Sequence, residues 1–294
     1  MSRRSRVTIR TLQGRKLEGP PISMLTCYDY SSAKLMEEAG IDSLLVGDTY
    51  GEVCLGHSST LPVTLDHLVT VAAGVRRGAP SVFLVGDMPY LSYQVSAETA
   101  IRSGGRFMAE AGCDCVKLEV DRRLLPIVDA MVTASLPVMA HLGLRPQWVN
   151  SIGGYLAQGK KADDACRLVE DARMMVDAGV VAILLEAVPS RVAALITKSV
   201  PVPVIGISSG PECDGQVLVM HDMLGYTAGH PPPSAKVYAN MHDKLIEAFR
   251  AYAGEVSEKV FPGDDRGIVI EDAEWSRLEE LLDADARRRA SGSC

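Results

Sequence analysis

The chain has 294 residues, 47% of them hydrophobic, and a formal net charge of −7, so it can bury a sizeable core. The negative balance argues against a general nucleic-acid binder, which needs a basic face. No run approaches the ~18 uninterrupted apolar residues of a membrane-spanning helix. Any anionic ligand must therefore be held by local cations or a metal rather than by overall charge. The seven cysteines are an odd number without C-x-x-C spacing, which points to a reducing compartment and no disulfide framework.

The first segment, MSRRSRVTIR, is basic and lacks an apolar h-region, so it reads as a disordered arm over residues 1–20 and not as a secretory signal. ISMLTCYD then reads as a strand, and YSSAKLMEEAG as a helix stopped at Gly40. A second strand, Ser43 to Val46, runs into Gly47, Asp48 and Thr49. A helix from about Thr64 to Gly78 leads to a strand closing on Asp87. A helix from about Ser96 leads to CVKLEV, which carries Lys117 and Glu119. The helical RRLLPIVDAMVTA precedes strand PVMAHLGL with His141 inside it. The loop NSIGGYLAQGK and the helix ADDACRLVEDARMMVDAG lead to VAILLEAV, which closes on Glu186. SRVAALITKS, PVPVIGISSG and QVLVM supply one more helix and two more strands. His57 and the pair Asp214-Gly215 read as loops on the same face as the acids.

Continuous apolar strands alternating with amphipathic helices require a parallel sheet covered on both faces. Eight such units predict a (β/α)₈ barrel over residues 21–263, with a doubly wound sheet as the alternative. No G-x-G-x-x-G follows the first strand, which weighs against dinucleotide binding. A helical extension covers residues 264–294, in which Trp275, Leu278 and Leu282 share one face.

In barrels the chemistry sits at the C-terminal ends of strands. Asp48, Asp87 and Glu119 would end three successive strands, which lie about 4.8 Å apart. They could converge on one hard dication, with Mg²⁺ the first choice. Lys117 shares a strand face with Glu119 and needs an anionic partner if buried. His141 is open between a satisfied core residue and a site residue. Glu186, set apart from the other acids, is open between a helix cap and a general base with a raised pKa.

The stretches MLTCYDYSSAKLMEEAGID, LLVGDTYG, GHSSTLPVTLDH, GDMPYLSY, AEAGCDCVKLE, HLGLRPQWVNSIGGY, LLEAVP, PVIGI and CDGQVLVMHDMLG occur in unbroken order over roughly residues 20 to 263. Here the chain resembles the ketopantoate hydroxymethyltransferase family. The resemblance implies a TIM barrel of the phosphoenolpyruvate/pyruvate superfamily that binds Mg²⁺ through Asp48, Asp87 and Glu119, the last through water. It implies 2-oxo acid contacts at Asp48, Thr49, Asp87 and Lys117, a general base at Glu186, and His141 lining the site. The implied reaction moves a hydroxymethyl group from 5,10-methylenetetrahydrofolate to 3-methyl-2-oxobutanoate, giving 2-dehydropantoate for pantothenate biosynthesis. The implied setting is the cytoplasm and a large homo-oligomer, a decamer, with no nucleic-acid or membrane partner.

The sequence departs from the family pattern at Thr49 and Tyr50, at Val120 and Asp121, at Leu156, and at Ser208 and Ser209. Those positions raise a paralogue acting on a different 2-oxo acid as one alternative. A C–C lyase or mutase of the superfamily is another, although no K-x-C-G-H loop is present. A catalytically silent barrel kept for assembly is the non-enzyme reading.

Overall fold

Each apolar run becomes one strand of a closed, all-parallel barrel in which β1 to β8 neighbour one another in chain order. The computed structural model describes residues 5–227 and 232–292. The strands are β1 (Ile22–Thr26), β2 (Ser43–Val46), β3 (Phe83–Asp87), β4 (Cys115–Glu119), β5 (Val138–Gly143), β6 (Ala182–Glu186), β7 (Val204–Ile207) and β8 (Gly215–Leu218). An N-terminal helix, α1 (Ile9–Glu18), precedes them. The helices between and after the strands are α2 (Tyr30–Glu38), α3 (Tyr50–Val53), α4 (Leu65–Gly78), α5 (Ala97–Ala109), α6 (Leu125–Thr133), α7 (Val149–Ile152), α8 (Ala162–Asp177), α9 (Ser190–Ser199) and α10 (Met220–Leu224). Asp29, Thr64 and Ser96 cap α2, α4 and α5 by accepting the backbone N–H of Ser32, His67 and Thr99.

Strand alternation divides the apolar residues into two cores. Ile22, Met24, Leu45, Phe83, Val85, Cys115, Met139 and Leu184 fill the barrel interior. Leu44, Val46, Leu84, Val116, Leu118, Ala140, Ile183 and Leu185 face the helices. That parity decides which rim residues point inward. Asp87 continues the inward series of Phe83 and Val85, Lys117 and Glu119 that of Cys115, His141 that of Met139, and Glu186 that of Ala182 and Leu184.

The segment expected to be a disordered arm is ordered from Ser5 onward and closes the N-terminal end of the barrel. Val7 and Leu12 are buried with the interior core. Thr8 caps α1 through a box with Thr11. Three basic residues of this segment are paired with acids. Arg15 donates to both carboxylate oxygens of Asp42 at 2.7 Å, Lys16 to Asp214 at 2.7 Å and to the Thr197 carbonyl at 2.9 Å, and Arg6 to Asp114 at 2.7 Å. Asp214 therefore does not lie at the catalytic face. It precedes β8, and its carboxylate also accepts the Val204 N–H at the start of β7.

The chain divides after Asn240, earlier than the expected boundary at residue 263. The second unit holds α11 (Met241–Ser257) and α12 (Asp272–Ser291), and neither helix has a buried residue. Trp275, Leu278 and Leu282 are exposed on α12. Among the described residues no helix is long and apolar enough to cross a membrane, and the six described cysteines are free.

Asp42 is buried and also accepts the N–H and hydroxyl of Ser23 at 3.0 and 2.8 Å. Replacing it by alanine strands Arg15 and Ser23 together. Asp42→Ala is expected to cost about 3 kcal/mol of stability, read as a lowered midpoint in urea unfolding with an unchanged slope.

Candidate active site

The C-terminal mouth of the barrel opens into a cavity of about 430 Å³, a size suited to a small ligand. Asp48, Thr49, Asp87, Lys117, Glu119, His141 and Glu186 all line it. The wall is divided. Most acids and bases come from the ends of β2 to β6, with Glu52 and Asp222 added from α3 and α10, while Leu184, Ile207, Val217 and Val219 make the apolar side. Both positions after β6 and β7, Ala187 and Ser208, hold left-handed backbone at φ 50° and 53°. A non-glycine residue there is strained by about 1–3 kcal/mol, and such strain gathers at functional rims.

Lys117 sits at the centre of the charged half. Its register partner on β3 is Asp87, and the ammonium lies 2.8 Å from Asp87 Oδ1. Asp87 Oδ2 accepts the backbone N–H of Asp48 at 3.0 Å. Asp48, Asp87 and Glu119 are all at most 3% exposed, so three carboxylates share one buried ammonium. Burial raises the Asp87 carboxyl to about 7 against the pull of Lys117. Burial likewise pushes Glu119 well above its ordinary range, with Lys117 opposing and the other acids adding to the rise. Burial opposes the charge on Lys117, but Asp87, Asp48 and Glu119 outweigh it and raise its pKa.

His141 links this cluster to Glu186. Its Nδ1 lies 3.2 Å from the Lys117 ammonium, and its Nε2 lies 3.3 Å from Glu186 Oε2. Burial first, then Lys117, lowers the His141 pKa well below the ordinary value, so the ring is neutral. An ammonium can only donate. The Nδ1 atom therefore accepts, and the ring proton sits on Nε2, which has no hydrogen-bond partner. Burial raises the Glu186 carboxyl to about 7, with Lys117 pulling it down.

The donor set fits a hard cation in charge and chemistry, but not as a ready three-carboxylate cage. Among the described residues no group of three or more His, Cys, Asp or Glu is arranged to hold an ion. Lys117 and the Asp48 N–H occupy Asp87, and Gln147 occupies one oxygen each of Asp48 and Glu119 at 2.9 Å. Mg²⁺ does not need such a cage, because it keeps several waters and takes only one or two carboxylates. Glu119 Oε1 is buried without a hydrogen-bond partner, and the negative charge exceeds the single lysine. Both observations call for a cation.

Gln147 was not visible as a site residue from sequence. It lay inside the matched run HLGLRPQW, but a lone glutamine after a strand carries no chemical signal. His57, by contrast, is not among the residues lining the cavity. Most departures from the family pattern also lie outside its wall. Tyr50 packs on Tyr28 with ring centroids 5.8 Å apart. Asp121 binds Arg123 and Arg145 beside a second cavity. Leu156 is exposed, and buried Ser209 bridges the Leu185 carbonyl and the Val188 N–H. Only Thr49 and Ser208 reach the first cavity. The Thr49 hydroxyl pairs with Tyr28 at 2.5 Å and the Ser208 hydroxyl with Ser234 at 2.5 Å.

A parallel eight-stranded barrel with acids, a lysine and a raised carboxyl at its C-terminal mouth defines an enzyme of the TIM-barrel class. Solved structures agree on the fold. Phosphonopyruvate hydrolase, solved with oxalate and Mg²⁺, matches at TM-score 0.58 and 13% identity over 95% of this chain and 98% of its own. 2,3-Dimethylmalate lyase, a member of the PEP mutase/isocitrate lyase superfamily, matches at TM-score 0.54 and 18% identity over 96% of this chain and 99% of its own. The family model for ketopantoate hydroxymethyltransferase matches residues 6–264. A 3-methyl-2-oxobutanoate hydroxymethyltransferase of Clostridium botulinum is 46% identical over 271 residues, covering 92% of this chain and 98% of that protein. Another of the same name, from Carboxydothermus hydrogenoformans, is 48% identical over 265 residues, covering 90% and 96%. The chain belongs to the ketopantoate hydroxymethyltransferase family.

Gly143 lets Glu186 take its place. It holds φ 94°, and a Cβ there would stand 2.4 Å from the Glu186 carbonyl oxygen, which accepts the Leu144 N–H at 2.8 Å. Gly143→Ala is expected to cost about 2–4 kcal/mol in chemical denaturation. Turnover by the folded variant should fall on the order of 100-fold, since a shift of about 1 Å at a catalytic group has that effect.

Proposed function

We propose that the protein transfers a hydroxymethyl group from 5,10-methylenetetrahydrofolate to 3-methyl-2-oxobutanoate, giving 2-dehydropantoate. The observation that carries this reading is the split wall of the cavity. A 2-oxo acid has an anionic, oxygen-rich head and, here, a branched apolar tail. The charged half of the cavity suits the head and the Leu184–Ile207–Val217 side suits the tail. Because most family departures lie behind the wall, the family substrate is favoured over a different 2-oxo acid.

Asp48 and Asp87, with Glu119 acting through water, would hold Mg²⁺. When bound, such an ion supplies Lewis-acid charge toward the carboxylate and keto oxygens of the acid. Asp48, Thr49 and Asp87 border the head of the substrate, and Lys117 places a fixed positive charge where negative charge grows during deprotonation. Glu186 removes the proton from C3, a step for which a placed base contributes about 10²–10⁴-fold. His141 Nε2 stands 3.3 Å from Glu186 Oε2 without a hydrogen bond between them, so the ring lines the base. Water would cleave the two C–N bonds of the folate methylene, releasing tetrahydrofolate and leaving formaldehyde as the one-carbon unit. The C3 carbanion adds to its carbonyl carbon, forming the new C–C bond, and the resulting alkoxide takes up a proton to become the hydroxymethyl group. The same reading takes the protein as a cytoplasmic homo-oligomer, with the decamer of its family as the expected size in sedimentation.

Proton removal is separable from transfer. In D₂O with Mg²⁺ and no folate, the C3 proton signal of 3-methyl-2-oxobutanoate is expected to disappear. Glu186→Gln should stop this exchange while leaving metal binding within about twofold; exchange at the parent rate would remove Glu186 as the base. A base works ionised, and burial raises Glu186 to about 7. The exchange rate should therefore climb tenfold per pH unit below about 7 and level off above it.

A further inference from the structure

Gln147 is 4% exposed in the turn Pro146–Trp148 that follows β5. Its Nε2 donates to Asp48 Oδ2 and to the Met88 carbonyl, both at 2.9 Å. Its Oε1 accepts from Gln94 Nε2 at 3.0 Å and lies 2.9 Å from the Tyr93 hydroxyl. Its backbone N–H donates to Glu119 Oε2 at 2.9 Å. The amide can face only one way. Turned over, its oxygen would meet the Met88 carbonyl and its nitrogen the Gln94 amide, acceptor against acceptor and donor against donor.

We propose that Gln147 is the positioning residue of the acidic cluster. Its side chain fixes Asp48 and its backbone fixes Glu119, each by one oxygen only. This leaves Glu119 Oε1, one of the buried oxygens without a hydrogen-bond partner, 3.9 Å from His141 Nδ1 in the cavity wall. The two acids stand on β4 and beyond β2, and Gln147 bonds to both. Tyr93 supports the arrangement from behind, since its fully buried hydroxyl also accepts the Glu119 N–H at 3.1 Å. Gln147 touches no reacting atom, so its effect passes through Asp48. The proposal rests on reading Asp48 and Glu119 as the acids that face a divalent cation.

The test is Mn²⁺ binding to the full-length, substrate-free protein, followed by electron paramagnetic resonance of the free ion. Gln147→Met keeps the length and apolar volume but removes both donors. It is expected to weaken Mn²⁺ binding tenfold or more, in line with the 10–100-fold effects of groups that orient ligands. Gln147→Glu, which keeps the shape, should do the same if the methionine variant fails to fold. In the Asp48→Asn background the Gln147 substitution should cost nothing further, because the group it holds is already disabled. A purely structural glutamine would lower the melting temperature in both backgrounds and leave Mn²⁺ affinity alone. Unchanged affinity in a folded Gln147 variant, with Asp48→Asn still weakening binding, overturns the positioning role. Unchanged affinity in Asp48→Asn itself overturns the metal-site reading instead.

Discussion

Three buried carboxylates around one buried ammonium set the terms for the rest of the site. The energy of such a cluster is high when its charges do not balance, because desolvated charge must be paired or neutralised. Lys117 satisfies part of it through Asp87. The rise of Asp87 and Glu119 above the ordinary carboxylate range expresses the remainder. In the proposed function a divalent cation and the anionic substrate complete the balance. The barrel tolerates the surplus because its strands hold the acids rigidly and its apolar interior stabilises the fold independently.

The same lysine organises the proton-transfer side. By donating toward His141 Nδ1 it fixes the ring tautomer, and the opposite nitrogen then faces Glu186. Asp87 and Glu186 are thus linked through Lys117 and His141, side chains of adjacent strands. Glu186 stands at the end of β6, beyond His141 from Lys117, where burial raises it. In the proposed mechanism this separation lets one group of carboxylates bind charge and the other take a proton.

Much of this was legible in the chain because strand parity is strict. Lys117 and Glu119 two apart, and Asp87 and Glu186 closing apolar runs, had to share the inward face once the runs were strands of one barrel. Gln147 was not legible, because its role depends on groups brought from β2, β3 and β4 that no local pattern links. Nor was α1. Arg15 and Lys16 resemble a solvated basic tail until Asp42 and Asp214 are placed at the N-terminal ends of β2 and β8. Asp214-Gly215 misled for the related reason that a polar turn before a strand looks like one after it. The boundary after Asn240 was hidden because the apolar spacing of α11 resembles that of a barrel helix, although the helix buries none of its residues.

The account stands on a cation and an oxo acid completing one buried acidic cluster. The most direct measurement is titration calorimetry of the purified protein with 3-methyl-2-oxobutanoate, with and without Mg²⁺, repeated on Asp87→Asn. Binding is expected only when Mg²⁺ is present, and is expected to be lost in the variant. Equal affinity without the metal, or undiminished metal-dependent binding by Asp87→Asn, would contradict it.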